Sequence, residues 1–395
     1  MNIIRNIIGT LVLAMIIGCT GHEIEDTRDS EVIIKLSVAS ELTSRAGAPR
    51  TLESADNWQR VTDMMIFVFR SDTEDGEYKL LHPTIRQTDG TDKKVESIRV
   101  DAFDKTEIYK NSEFETHTTT VIPRLKKGYY RFLALGVDNL SFWKENTINF
   151  EEGVTEWDDA VLKFDTVTLN EFFSGYPKDN NGKVENIYIS GEREKTLISI
   201  ELKRCVAGVL LYVKNIPTTY NNKNITNIRL VLSGNDNSTS LIERSWLQDS
   251  EPTATETILA DFTAESCNET IGEGTDKEEQ RYYTGAFLLP SRTSMLENSV
   301  MRMDFMSNDA VIKSLKVVTT TSSEDENSQT IGNGSKLEVN HEGTLYNIVA
   351  NHIYCIGLRY ENGEKIPIDL GEAIKDNSIR IIALGSWQAD VDIEI

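Results

Sequence analysis

The 395-residue sequence is short of the side chains that carry most metal and covalent chemistry, with only five His and four Cys. His22, His82, His117, His341 and His352 stand apart, without HExxH or HxH spacing, so a catalytic zinc site has no support. No GxSxG elbow occurs, and Gly272-Glu273-Gly274 lacks the third glycine and the strand-to-helix setting of a dinucleotide loop. Cations are scarce too: 41 Lys plus Arg stand against 63 Asp plus Glu, for a formal net charge of -22. A surface of that sign is repelled by nucleic acid and by anionic membrane, and both are excluded as partners. Internal repeats and low-complexity linkers are missing as well. Apolar residues are not scarce: the hydrophobic set is 39% and the charged set 26%, which excludes disorder as a description of the whole chain. At about 100–200 residues per domain, the length predicts two or three domains.

The N-terminus gives the address. Arg5 precedes an apolar run over residues 7–17 broken only by Gly9 and Thr10. Such a run is too short to span a bilayer, which takes about 20 residues as a helix, and it reads as a secretory signal over residues 1–18. Its end, Ile16-Ile17-Gly18-Cys19, resembles the bacterial lipobox, with Ile16 where Leu is usual. The reading makes Cys19 the lipidation site, and its acyl chains suffice for stable anchoring. The acidic stretch Thr20-Gly21-His22-Glu23-Ile24-Glu25-Asp26 resembles the export tag of surface lipoproteins and equally fits an ordinary charged tether over residues 19–30. Cys205, Cys267 and Cys355 then remain, an odd number with no CxxC. Cys205 and Cys355 lie in apolar strand-like runs and are expected to be small buried hydrophobes.

From Glu31 onward the dominant period is two. Val32, Ile34, Leu36 and Val38 alternate with Ile33, Lys35 and Ser37, the pattern of a strand with one buried face. Residues 61–69 form a near-continuous apolar run, expected as a central strand buried on both faces. Residues 129–135, 187–190, 197–202, 206–213, 228–232, 282–289, 300–306 and 311–318 continue the style. In 300–306, Met301, Met303 and Phe305 face one way and Arg302 and Asp304 the other, a core stripe rather than a copper or cofactor box. Turn signals separate the runs: Asp75-Gly76, Asp89-Gly90, Asn181-Gly182, Asn333-Gly334 and Asn362-Gly363. Helix is confined to a turn or two at 370–375 and a weak candidate at 111–115. A charged turn at 191–195 marks the expected boundary between domains over 31–193 and 194–395, both of β-sandwich size.

Chemistry stays sparse. The segment 179–185 resembles a calcium loop but lacks the Glu at its twelfth position, so an Asn-Gly hairpin is the stronger reading. Trp58, Trp143, Trp157, Trp246 and Trp387 are available for a carbohydrate platform, although core or edge positions are the default for Trp. Among 63 acids, carboxylate pairs abound without a defined separation. The sequence calls for no catalytic residue, cofactor or metal.

In combination these features resemble the fimbrillin superfamily of Bacteroidetes, the subunits and anchors of a lipoprotein-derived pilus. The residues carrying the resemblance are the Cys19 lipobox, the strand 32–38 followed by Ser44-Arg45-Ala46, and the runs 61–69 and 128–134. Leu202-Lys203-Arg204-Cys205-Val206-Ala207, Lys214-Asn215-Ile216-Pro217, Asn351-His352-Ile353-Tyr354, Ile366-Pro367-Ile368-Asp369-Leu370 and the segment around Trp387 complete it. The resemblance implies an all-β fold of two transthyretin-like sandwiches in tandem. It also implies a surface-exposed subunit, lipid-anchored in the outer membrane and joined to other fimbrial subunits by strand complementation. In that mechanism a stalk subunit loses its first strand to an Arg-specific protease, and a neighbour's terminal strand fills the groove. Here the first strand is 32–40, the cut falls after Arg45 or Arg50, and the donor candidate is 378–395. Arg45 and Arg50 equally fit a plain Gly/Pro-containing loop. An anchor-like role is favoured over a cleaved stalk role. A surface glycan-binding lipoprotein and a hydrolase are the rival classes.

Overall fold

The structure, a computed structural model, describes residues 31–38, 63–86, 89–100, 117–119, 125–137, 147–148, 150–163, 172–191, 195–233, 238–243, 256–267, 269–271, 279–290, 301–318, 348, 350, 352–361 and 364–386. Strand dominates these residues, and the chain is all-β.

Nine strands make the first sheet: β1 (Glu31–Val38), β2 (Asp63–Ser71), β3 (Lys79–Leu81), β4 (Ile98–Val100), β5 (His117–Thr119), β6 (Gly128–Val137), β7 (Phe172–Gly175), β8 (Ile187–Ile189) and β9 (Lys195–Arg204). Their order is β3-β2-β6-β7-β9-β1-β5, with β8 also on β6 and β4 on β2. The strand β2 is buried on both faces, as its unbroken apolar run predicts: Met64, Ile66 and Val68 enter one core cluster, Phe67 and Phe69 another. The strand β9 turns a corner. Its residues 195–202 pair with β1, whereas Lys203 and Arg204 pair with β7. The apolar faces of β1 and β9 therefore pack onto those of β2 and β6, face to face rather than edge to edge.

Eleven strands make the second sheet: β10 (Ala207–Lys214), β11 (Asn227–Leu232), β12 (Thr257–Phe262), β13 (Glu269–Ile271), β14 (Glu279–Leu288), β15 (Met301–Ser307), β16 (Ala310–Val318), β17 (His352–Ile356), β18 (Leu358–Glu361), β19 (Glu364–Asp369) and β20 (Ser378–Ser386). The order is β12-β11-β15-β16-β20-β17-β10-β14-β13, with β19 joining β10 and β18. Here β20 is the corner, pairing in parallel with β16 through Ser378–Arg380 and antiparallel with β17 further on. Met301, Met303 and Phe305 are fully buried with Val209, Leu211, Ile228, Leu230 and Tyr354, so the Met stripe is core. Asp304 on the opposite face is buried as well, because Arg302 Nε and the Ser314 hydroxyl both bond its carboxylate. A helix, α1 (Leu370–Asp376), follows β19; Asp369 caps it by accepting from the Glu372 amide at 3.2 Å, and Asn377 ends it at φ 58°. Gly357, at φ 83°, links β17 to β18 where a Cβ would come within 2.4 Å of the Tyr212 carbonyl oxygen, so only glycine fits.

Two findings differ from the sequence-based expectation. The strand at 195–204, expected to open the second domain, hydrogen-bonds in the first sheet, and the crossing to the second sheet falls at Cys205–Val206. The charged turn at 191–195 precedes a long-range strand pairing that local composition does not encode. Of the donor candidate 378–395, residues 378–386 are paired inside the second sheet, Ser378–Arg380 with β16 and the rest with β17; residues 387–395 lie outside the described residues. The turn readings at 75–76 and 181–182 hold. Asp179 Oδ1 accepts from the amides of Asn181 and Lys183 at 2.9 and 2.8 Å, closing a hairpin whose Gly182 sits at φ 79°. Asn333-Gly334, Asn362-Gly363 and the weak helix at 111–115 lie outside the described residues.

Candidate functional site

The site built most completely from the sequence upward is the slot of the first strand. All eight residues of β1 match β9 in parallel register, from Glu31↔Lys195 to Val38↔Leu202. On its other edge, Ile34, Lys35 and Leu36 oppose Thr119, Thr118 and His117 of β5. Alternate residues of a strand share a face, and Val32, Ile34 and Leu36 are 0%, 0% and 1% exposed. They pack beside Ile198, Ile200 and Leu202 and against Met64, Ile66, Val68, Phe132 and Ala134. Burial at about 1.5–3 kcal/mol per side chain gives the three residues roughly 5–9 kcal/mol. The outward face is sparse: Ile33 is half-buried opposite Leu197, which is 57% exposed.

Without β1, the apolar faces of β2 and β6 would lose their cover and residues 195–202 would lose a hydrogen-bonded neighbour. Such a groove selects an occupant by two properties alone: backbone groups in register, and an apolar side chain at every second position. No titratable side chain is needed for that task.

The titratable groups elsewhere suit structure rather than proton transfer. A hydrogen bond from Lys94, with Nζ 2.5 Å from Oε2, holds the Glu152 carboxyl below its ordinary range, aided by the His82 amide. Arg302 does the same for Glu256 at 2.7 Å. Burial pushes the Tyr130 hydroxyl up to about 12, and that hydroxyl donates to the Lys126 carbonyl oxygen at 2.6 Å. Among the described residues no three His, Cys, Asp or Glu side chains cluster as metal ligands. Among the same residues no helix is long and apolar enough to cross a membrane.

Cys19, Arg45 and Arg50 lie outside the described residues, as do Trp58, Trp143, Trp246 and Trp387. Trp157 is 2% exposed, edge-on to Phe69 at 5.2 Å and to Tyr176 at 5.8 Å, and serves the core instead of a surface platform. Cys205 and Cys355 are buried, as their apolar surroundings predict, and Cys267 is half-buried with its thiol donating to the Ala264 carbonyl at 3.2 Å. Sequence reasoning missed the strand Ser238–Ser240, which pairs with Val161–Lys163. Three small polar residues carry no alternation, and only Leu241-Ile242 beside them hints at burial.

The sequence model of the family described as fimbrillin-A associated anchor proteins Mfa1 and Mfa2 matches residues 53–317. No curated protein matches the chain. Among solved structures, the fimbrial anchor protein Mfa2 from Porphyromonas gingivalis is similar at 11% identity and a TM-score of 0.40, covering 91% of this chain and 99% of that one. The tip fimbrial protein Mfa3 from Porphyromonas gingivalis, with a C-terminal truncation, is similar at 9% identity and a TM-score of 0.39, over 90% and 99% of the two chains.

Proposed function

As this chain belongs to the family of fimbrillin-A associated anchor proteins Mfa1 and Mfa2, we propose that it is a structural, non-enzymatic subunit of a cell-surface fimbrium with an anchor-like role. In this reading Cys19 carries the lipid that holds the subunit to the outer membrane, residues 1–18 are the removed signal and 19–30 the tether. Neighbouring subunits join by strand complementation. The observation that supports it is the β1 slot: an eight-residue register and three fully buried alternate side chains are what a transferable strand requires. The proposal includes two transthyretin-like sandwiches in tandem, divided at Cys205–Val206. Two core clusters, one gathered around β1, β2, β6 and β9 and one around β10, β11, β15 and β17, support that division, and a third joins the halves at the crossing, with Val206 and Leu289 beside Phe67 and Trp157.

Mass spectrometry of the mature N-terminus from cells tests the role. An acylated Cys19 supports the anchor, and a start at Ala46 or Thr51 replaces it with a cleaved stalk subunit. Persistence of residues 1–18 in the mature protein overturns the lipoprotein reading.

A further inference from the structure

The connection between β11 and β12 belongs by sequence to the second sheet, yet its middle lies in the packing of the first. Ser238–Ser240 pairs antiparallel with Val161–Lys163, which carries Thr147–Ile148 on its other edge. Thr239 and Leu241 are fully buried, and Ile242 nearly so. Leu241 enters the cluster that coats the second face of β2 and β6, beside Phe69, Leu135, Trp157 and Leu162. Its amide donates to the Ala160 carbonyl at 2.9 Å, and its own carbonyl accepts from the Ser174 hydroxyl at 2.6 Å. Cys205, at the crossing between sheets, donates its thiol to that same hydroxyl at 3.1 Å.

Both feet of this connection meet one side chain. Arg302 of β15 donates from Nη1 to the Ser233 hydroxyl at 2.8 Å and from Nη2 to Glu256 at 2.7 Å. Its Nε holds Asp304 at 2.9 Å. The guanidinium fork thus binds the residue just after β11 and the residue just before β12 while anchored on β15, the neighbour of β11 on the side away from β12.

We propose that residues 238–242, with Ser233 and Glu256 latched by Arg302, form a clasp that makes the two halves of the molecule open and unfold as one body. Halves of a chain move relative to one another by default unless their interface is large and apolar, and here Val206 and Leu289 of the second half already enter the same cluster as Phe69 and Trp157, with Phe287 packed against it. Added backbone bonds and a fully buried leucine remove that freedom here, and fixing both ends of the connection lowers the entropy lost when its middle docks. This inference does not depend on the role proposed for the β1 slot.

Hydrogen exchange and calorimetry on the full chain test it. Ser233→Ala/Glu256→Ala frees both feet while leaving the Arg302–Asp304 pair. Exchange at the amides of 239–241 should then rise at least about tenfold, with β1, β9, β10 and β17 unchanged. Leu241→Asp should split one calorimetric transition into two. Lys163→Cys/Ser238→Cys in that background, opposite one another in register, should restore a single transition on oxidation and lose it on reduction. Unchanged exchange at 239–241 after freeing the feet would remove the latch, whether or not Leu241→Asp folds. Two transitions in the unaltered chain, or one in Leu241→Asp, would overturn the coupling.

Discussion

The two halves each turn on a corner strand, β9 in the first and β20 in the second, but the corners are secured differently. The parallel partner of β9 is β1, which enters from the start of the chain and contributes eight backbone positions and three buried side chains. The strand β20 follows directly on a helix capped by Asp369 and continues between β16 and β17. Asn215 at the end of β10 further bonds Asp369 at 2.6 Å, tying that corner to a third strand. One corner is closed by a strand that can in principle be exchanged, the other by a strand woven into its neighbours. The same architecture thus closes one corner with a strand distant in sequence and the other with a strand local to its neighbours.

Deleting residues 31–38 is the strongest way to break this contrast. The first half should lose about 5–9 kcal/mol and its protection from exchange, and a synthetic peptide of the same eight residues should restore both. Deleting 378–386 should unfold the second half with no rescue by its own peptide. Equal rescue of both, or of neither, would erase the distinction. Met303→Ala, in the second core, should cost about 2–5 kcal/mol by denaturant titration, and the shared opening of the two halves should carry that loss into faster exchange in β1; untouched exchange there would separate the slot from the second core.

Alkali sharpens the comparison from the other side. Tyr130 lines the cluster that receives β1, and its hydroxyl titrates near 12 instead of the ordinary 10.0 because ionised oxygen would be desolvated. Its contribution is complete below pH 10 and fades as pH rises towards 12, a loss of about 2–3 kcal/mol in the first half. Tyr130→Phe should flatten that slope in a pH series of unfolding curves, and an unchanged slope would assign the alkaline loss elsewhere. The smallest effect is expected at Asp369→Ala: loss of the cap should cost about 1 kcal/mol, read as a slightly lowered midpoint of the single unfolding transition.

Local pattern made much of this legible. Alternation marked β1, β9 and β15, an unbroken apolar run marked β2 as buried on both faces, and apolar flanks marked Cys205 and Cys355 as core. Asn-Gly and Asp-Gly marked turns, because few other residues accept the backbone angles they need. Pairing was not legible. Nothing in Lys195–Arg204 says that its partner is the first strand of the chain, and nothing in 378–386 distinguishes a donor from a corner. Ser238–Ser240 and the three-way hold of Arg302 on Ser233, Glu256 and Asp304 have no periodic signal at all, since each depends on contacts between segments distant in sequence.

The sequence by itself determined an acidic, all-β chain with little metal or nucleophile chemistry, because net charge and a period of two depend only on which residues stand where. Tertiary structure decided which strands share an edge, where the chain crosses between sheets and which connection clasps the halves. An extended strand has two edges and no local preference among partners. The choice is made only when the apolar faces are packed and the backbone groups that remain must find each other.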